Sequence, residues 1–186
     1  HRFKTRSDTE VIVHAYEEWG DAAFERFNGQ FAVGLWDLPR QTLVLARDPL
    51  GVRPLYMCEH AGRVLFASEV KAIFAADRSI VREISRKGMD ETFTFWAPVA
   101  PRTVFAGVEE LPPGSIRTYA PGRITTRAPA PPRFPRAPED GFLGSIEDAT
   151  EAVAAALDKA TRLRMLRADV PVGSYLSGGL DSSLVA

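Results

Sequence analysis

The sequence predicts an α+β unit followed by the opening of an α/β unit. Three observations carry that reading. The hydrophobic period switches from 3.6 to 2 near residue 30, as a helix gives way to strands. A stretch rich in proline and arginine then divides the chain. Beyond it, an amphipathic helix, an apolar strand and a glycine-rich loop follow in that order, the pattern that builds parallel sheets.

In the first unit, Ser7-Asp8-Thr9-Glu10 has capping-box spacing, with Ser7 expected to serve the Glu10 backbone and Glu10 to reach back. Ile12, Ala15, Tyr16 and Trp19 form one apolar helical face, and Gly20 can end the helix in the left-handed region. Asp21 opens a short second helix to about Phe27, and Asn28-Gly29 is turn chemistry. Phe31, Val33 and Leu35 then alternate with Ala32, Gly34 and Trp36. Leu43 and Leu45 alternate with Val44 and Ala46. Residues 53–58 and 63–68 predict two more strands around His60-Ala61-Gly62. Apolar groups on both faces call for a sheet covered on both sides, and the short connections predict an antiparallel meander. Glu69 to Phe74 reads as a short helix.

Ten of the 14 prolines lie between Pro98 and Pro138, and residues 121–138 hold six prolines, four arginines and no acid. Such a stretch favours extended backbone over a packed core. The boundaries expected are therefore a first domain over 1–118, a linker over 119–141 and a second domain over 142–186. In the second domain Ser145 caps a helix with Glu147 and Asp148 in its first turn and Lys159, Arg162 and Arg164 near its far end, which suits the helix dipole. Val170 to Leu176 reads as a buried strand. One helix, one strand and a stub cannot bury a parallel sheet, so this domain is expected to be cut short.

Composition narrows the function classes. The chain has 186 residues, 45% hydrophobic and 25% charged, an ordinary globular mix. Twenty-three basic residues against 24 acidic leave a charge of −1, with no positive field to draw in nucleic acid or an anionic membrane. A single cysteine, Cys58, excludes an internal disulfide framework and a multi-thiolate zinc site. No apolar run approaches a membrane span and no signal peptide is visible, so a cytoplasmic location is expected.

The strongest chemical signal is Ser177-Gly178-Gly179-Leu180-Asp181-Ser182-Ser183. Two glycines allow close backbone approach, and the following helix offers free N–H groups to an anion. Asp181 would repel phosphate by itself, but it makes sense as the holder of a divalent metal that bridges to phosphate oxygens. No Gly-Lys-Ser/Thr follows, so the loop is not a Walker A motif. By local physics alone, a Gly-Gly turn with serine caps remains the alternative.

This loop resembles the pyrophosphate loop of the N-type ATP pyrophosphatases, which include asparagine synthetases, β-lactam synthetases, argininosuccinate synthetase, GMP synthetase and NAD synthetase. The resemblance implies ATP and Mg²⁺ as cofactors. Ser177, Gly178, Gly179, Ser182 and Ser183 would contact phosphates, Leu176 would touch the adenosine moiety through its backbone, and Asp181 would help hold Mg²⁺. Four stretches of the first unit, Ser7 to Val11, Phe31 to Asp37, Ala46 to Tyr56 and Phe66 to Ala72, resemble class II glutamine amidotransferases, and Leu111-Pro112-Pro113-Gly114 looks like the region that closes that domain. The implied folds are a partial αββα sandwich of the N-terminal-nucleophile hydrolase type and the start of a parallel-sheet ATP pyrophosphatase domain.

The order of the two is similar to that in glutamine-hydrolysing asparagine synthetases. The resemblance implies glutamine hydrolysis to ammonia, adenylation of the aspartate side-chain carboxylate, and release of asparagine, AMP and pyrophosphate. Asp8 matches the acid that binds the α-amino group of glutamine. The family's nucleophile, a Cys at the mature N-terminus, has no counterpart at His1, and the family's upstream arginine and Asn-Gly oxyanion pair are also absent. The piece by itself is therefore expected to be inactive. A β-lactam synthetase-like or peptide-maturation homologue using an internal amine, and a non-catalytic binding module of the same fold, remain open alternatives. The partners implied are the small molecules glutamine, aspartate and ATP, and the family's frequent dimers leave a homodimer open.

Other residues read as structural. Cys58 sits in a strand and is expected to pack. His14 and His60 lack a second ligand at metal spacing. Arg47, Asp48 and Arg53 cluster at a Pro-Gly turn and are expected to hold sheet to loop through ion pairing. Glu69 and Lys71 are candidates for a domain interface.

Overall fold

The computed structural model describes residues 1–129 and 141–186, which fall into two units, each treated by itself below. Helix α1 spans Asp8–Trp19. Ser7 caps it, but its Oγ accepts from Thr9 N at 3.2 Å and not from Glu10 N. The expected capping box does not form. The Glu10 carboxylate instead takes the backbone N–H groups of Lys4 at 2.7 Å and Thr5 at 2.6 Å. Two preceding backbone donors outcompete the single donor a capping box would supply. Gly20 ends α1 at φ 56° and ψ −141°, a positive-φ turn outside the left-handed helical region. A 3₁₀ helix, Gly20–Arg26, follows. Trp19 leaves the predicted apolar face: it is 45% exposed, with the Arg26 guanidinium 4.4 Å above its ring.

Among the described residues, seven strands form two antiparallel sheets. The first has the order β1 (Ala32–Asp37), β2 (Thr42–Arg47), β6 (Ile116–Ala120), β7 (Arg123–Arg127). The second has the order β4 (Arg63–Ala67), β3 (Tyr56–His60), β5 (Glu109–Glu110). The expected single meander is thus split. The β1–β2 hairpin forms as expected, with Leu35 opposite Val44, but the loop after Arg47 carries the chain to the other sheet, and β2 takes β6 as its second neighbour. The proline-rich reading also changes. Thr125 pairs with Thr118 across β6 and β7, so the sheet continues past residue 118 into the stretch assigned to the linker. The remainder of that stretch, residues 130–140, lies outside the described residues.

Strand alternation distributes the core into three clusters. Val33, Val44, Ala46 and Ile116 face Phe24 of the 3₁₀ helix, with Ile12 and Tyr16 of α1 against them. Leu45, Leu55, Met57 and Leu111 meet between the sheets. Cys58 and Val108 pack on Ile73 and Phe74 of α2 (Val70–Ala76). The result is a helix–sheet–sheet–helix layering. Burial of each leucine between the sheets is worth roughly 1.5–3 kcal/mol, more than an exposed ion pair supplies. Helix α3, Arg86–Phe95, has no counterpart in the sequence reading; Ser85 Oγ caps it by accepting from Gly88 N at 3.1 Å.

In the second unit, α4 spans Ile146–Leu166 and carries the capping box that α1 lacks: Asp148 N donates to Ser145 Oγ at 3.1 Å, and Ser145 N donates to Asp148 Oδ2 at 2.8 Å. The second helix, α5, spans Leu180–Val185. Val170–Leu176 is neither paired nor buried, contrary to the expected strand. A strand exists only through its ladder, and no strand of the described residues lies beside it. No described residue of this unit is buried. Among the described residues, no helix is long and apolar enough to cross a membrane.

Candidate functional site

In the first unit, the geometry around Asp8 follows from the cap. Ser7 turns the chain into α1, so Asp8 is its first residue and is exposed. Among the described residues, its carboxylate receives only Thr9 Oγ1, at 3.4 Å. A free carboxylate at this point can receive an ammonium group. Glu10 beside it has no such freedom. The Thr5 hydroxyl, then the Lys4 and Thr5 backbone N–H groups, hold its pKa down at about 2.

The loop after β2 carries a dense polar cluster. Asp48 is 1% exposed and accepts from the backbone of Phe31, Leu50, Val52 and Arg53, at 2.9–3.3 Å. Burial raises its pKa, but those four N–H groups outweigh burial and hold it below the usual range. Arg47 is also buried. Its Nε donates to Arg53 O at 2.8 Å, its Nη1 to Leu111 O at 2.7 Å and its Nη2 to Gly51 O at 2.7 Å, and Nη2 pairs with Glu110 at 2.8 Å. The sheet-to-loop role is as expected, but the partners differ. Asp48 binds backbone rather than arginine, and Arg53 contributes its main chain while its side chain stays exposed. Nothing in the local sequence marks Glu110 and Leu111, which lie more than 60 residues downstream.

In the second unit, Ser177 to Ser183 close a small loop. Gly178 sits at φ +80°, and nothing lies within 4 Å of where its Cβ would stand. Ser177 Oγ and Ser182 Oγ are 2.9 Å apart, while Ser182 Oγ and Ser183 Oγ donate to Gly179 O at 3.0 and 2.8 Å. Asp181 lies in the first turn of α5 and is exposed, and Leu176 is 65% exposed. The loop thus brings together Ser177, Gly178, Gly179, Ser182 and Ser183. Three hydroxyls, open glycine backbone and one carboxylate form a donor set that fits a polyphosphate with a divalent cation. The hydroxyls now face inward and must turn outward to take that load. Asp8 lies in the other unit.

Cys58 is 5% exposed, and burial pushes its thiol upward, away from the reactive thiolate. His60 Nε2 lies 2.9 Å from Ser79 Oγ, a satisfied contact. Gly29 lies at a bend ahead of β1. The Glu69 carboxylate pairs with Lys71 at 2.5 Å, both exposed. His14 departs from the sequence reading. His1 stacks on it at 4.7 Å, and Glu17 Oε2 lies 3.0 Å from its Nδ1. The signal available was the i, i+3 spacing of His14 and Glu17 on one helical face.

Comparison with known proteins places both units. Residues 1–128 match the model of the glutamine amidotransferase domain family, and residues 152–186 match that of asparagine synthase. The chain is 35% identical over 186 residues to asparagine synthetase [glutamine-hydrolyzing] 3 of Bacillus subtilis, covering 100% of this chain and 29% of that protein. It is 36% identical over 188 residues to a probable asparagine synthetase [glutamine-hydrolyzing] of Dictyostelium discoideum, covering 100% and 28%. It is also 36% identical over 193 residues to amidase chry2 of Gibberella zeae, covering 100% and 27%. The chain therefore spans less than a third of the length of these curated relatives.

Proposed function

The chain belongs to the glutamine amidotransferase domain family, and from that premise we propose that it is part of an ATP-dependent amide-forming ligase that makes asparagine. The observation that carries this reading is the order of matches on one chain, an amidotransferase domain followed by an asparagine synthase segment. The whole protein hydrolyses glutamine to glutamate and ammonia. It activates the aspartate side-chain carboxylate with ATP, and ammonia displaces AMP after pyrophosphate has left. Activation replaces a poor leaving group by a good one, and enclosure keeps ammonia close and unprotonated.

Asp8 holds the α-ammonium of glutamine, a role supported by its free carboxylate at the start of α1. No residue of this chain is assigned the glutamine nucleophile, and the buried Cys58 is unsuited to it. Ser177, Gly178, Gly179, Ser182 and Ser183 hold the phosphates of ATP, and the Leu176 backbone lies against its adenosine. Asp181 would hold Mg²⁺, which when bound would supply charge neutralisation for pyrophosphate. The helix–sheet–sheet–helix layering supports a sandwich of the N-terminal-nucleophile hydrolase type. The second unit is the start of a parallel-sheet ATP pyrophosphatase domain. The protein works in the cytoplasm on small molecules.

The test uses the protein at its full natural length, with glutamine, aspartate, ATP and Mg²⁺. Asparagine and pyrophosphate should appear in equal amounts, and radiolabelled pyrophosphate should exchange into ATP only when aspartate is present. Exchange that depends on a different carboxylic acid would overturn asparagine synthesis, and no exchange with any acid would overturn the ligase.

A further inference from the structure

We propose that His1, His14 and Glu17 form a three-ligand site for a divalent transition-metal ion that clips the segment before α1 onto that helix. One ligand atom from each residue lies within 4.8 Å of the others. Glu17 Oε2 is 3.0 Å from His14 Nδ1 and 3.4 Å from His1 Nδ1. A tetrahedral Zn²⁺ with bonds of about 2.0–2.2 Å holds its ligands roughly 3.3–3.6 Å apart, a range that contains the His1–Glu17 separation and lies slightly above the His14–Glu17 one.

The surroundings of His14 point the same way: it lies between two carboxylates, with Glu17 Oε2 3.0 Å from its Nδ1 and Glu10 Oε1 3.5 Å from its buried Nε2. One metal ion serves His1, His14 and Glu17 together and leaves Nε2–H to Glu10. A carboxylate behind a ligating imidazole is the usual outer partner in such sites. Two imidazoles and one carboxylate suit Zn²⁺, Ni²⁺ or Cu²⁺ rather than Mg²⁺ or Ca²⁺.

The Glu10 carboxylate already fixes the arm by accepting from Lys4 N and Thr5 N, which brings His1 over α1. The ion would complete that arrangement. Nothing in the proposed ligase chemistry uses it.

Calorimetric titration of the 186-residue chain with Zn²⁺, and with Co²⁺ followed by its visible spectrum, tests the site. The expected result is one ion per chain and a Co²⁺ spectrum of tetrahedral type. His14→Asn and His1→Asn should each weaken binding at least tenfold, and Glu10→Gln about tenfold. His60→Asn, which alters the third histidine, should leave binding unchanged. His1 is exposed, so its replacement does not threaten the fold. No saturable uptake, or equal loss in His60→Asn and His14→Asn, would overturn the proposal.

Discussion

Arg47 Nη1 donates to the carbonyl oxygen of Leu111 at 2.7 Å, joining residues 64 positions apart. Leu111 is wholly buried between the sheets, and Arg47 ends β2 in the first sheet. The same guanidinium bonds Gly51 O and Arg53 O. One side chain therefore fixes both the loop that leaves the first sheet and the segment that follows β5 of the second. Five N–H donors in a rigid fork permit this, and an ammonium cannot reproduce it.

Replacing Arg47 should consequently be among the costliest polar changes. Arg47→Ala leaves Glu110 unpaired and three carbonyls without donors, and should lose about 3–5 kcal/mol of unfolding free energy. Arg47→Lys keeps the charge but not the fork, and should lose about 1–3 kcal/mol. Urea unfolding of the three proteins measures both. Equal stability of Arg47→Lys and the parent would show that charge alone suffices.

Asp48 makes the same loop sensitive to acid. Its pKa is held below the usual carboxylate value in the folded chain. A depressed acid contributes stability that is fully present above its unfolded pKa and is lost as pH falls through the folded one. Unfolding free energy should therefore be flat near neutrality and fall below about pH 4. Asp48→Asn presents an amide to four backbone donors, should cost about 2–3 kcal/mol at neutral pH, and should flatten the acid slope. Urea titrations across that range provide the check. An unchanged slope in Asp48→Asn would assign the acid sensitivity elsewhere.

Local patterns were legible and distant ones were not. The switch from helix to strands, the β1–β2 pairing and the Ser145 cap all rest on spacings within a few residues, and each is present. The partition into two sheets depends on Arg47 finding Leu111 and on β6 returning beside β2, for which the local sequence has no signature. The Ser7 capping box failed because residues 4 and 5 compete for Glu10, and spacing does not weigh competitors. The loop from Ser177 to Ser183 was readable because glycines and serines constrain backbone and donors at once. The strand before it was not, since Val170–Leu176 has no neighbour to pair with among the described residues.

Glu10 should report on the segment ahead of α1. A carboxyl titration followed by NMR should place its midpoint near 2, against the ordinary 4.5. The hold on the backbone of Lys4 and Thr5 is thus complete above 4.5 and fades as pH falls toward 2. Glu10→Gln should speed amide exchange at Lys4 and Thr5 without altering exchange in β2. Unchanged exchange in that variant would separate the segment's order from Glu10.

Two glycines should respond differently to the same added methyl group. A Cβ on Gly34 in β1 would lie 2.4 Å from Cε2 and 2.7 Å from Cζ of Phe66 in β4. Phe66 is 42% exposed and can turn outward, so Gly34→Ala should cost roughly 1–3 kcal/mol, the usual range for overpacking. A Cβ on Gly88 in α3 would lie 2.0 Å from the backbone oxygen of Thr103 and 2.8 Å from its carbonyl carbon. Backbone cannot swing aside, and Thr103 is itself pinned, its Oγ1 donating to Val108 O at 2.9 Å. Gly88→Ala should therefore cost about 3 kcal/mol or more by forcing α3 off the following segment, with loss of the Glu91–Arg102 ion pair. Thermal or urea unfolding of both variants orders them. If Gly34→Ala proved the more damaging, the close approach of β1 to β4 would be the tighter contact, and the anchoring of α3 the softer one.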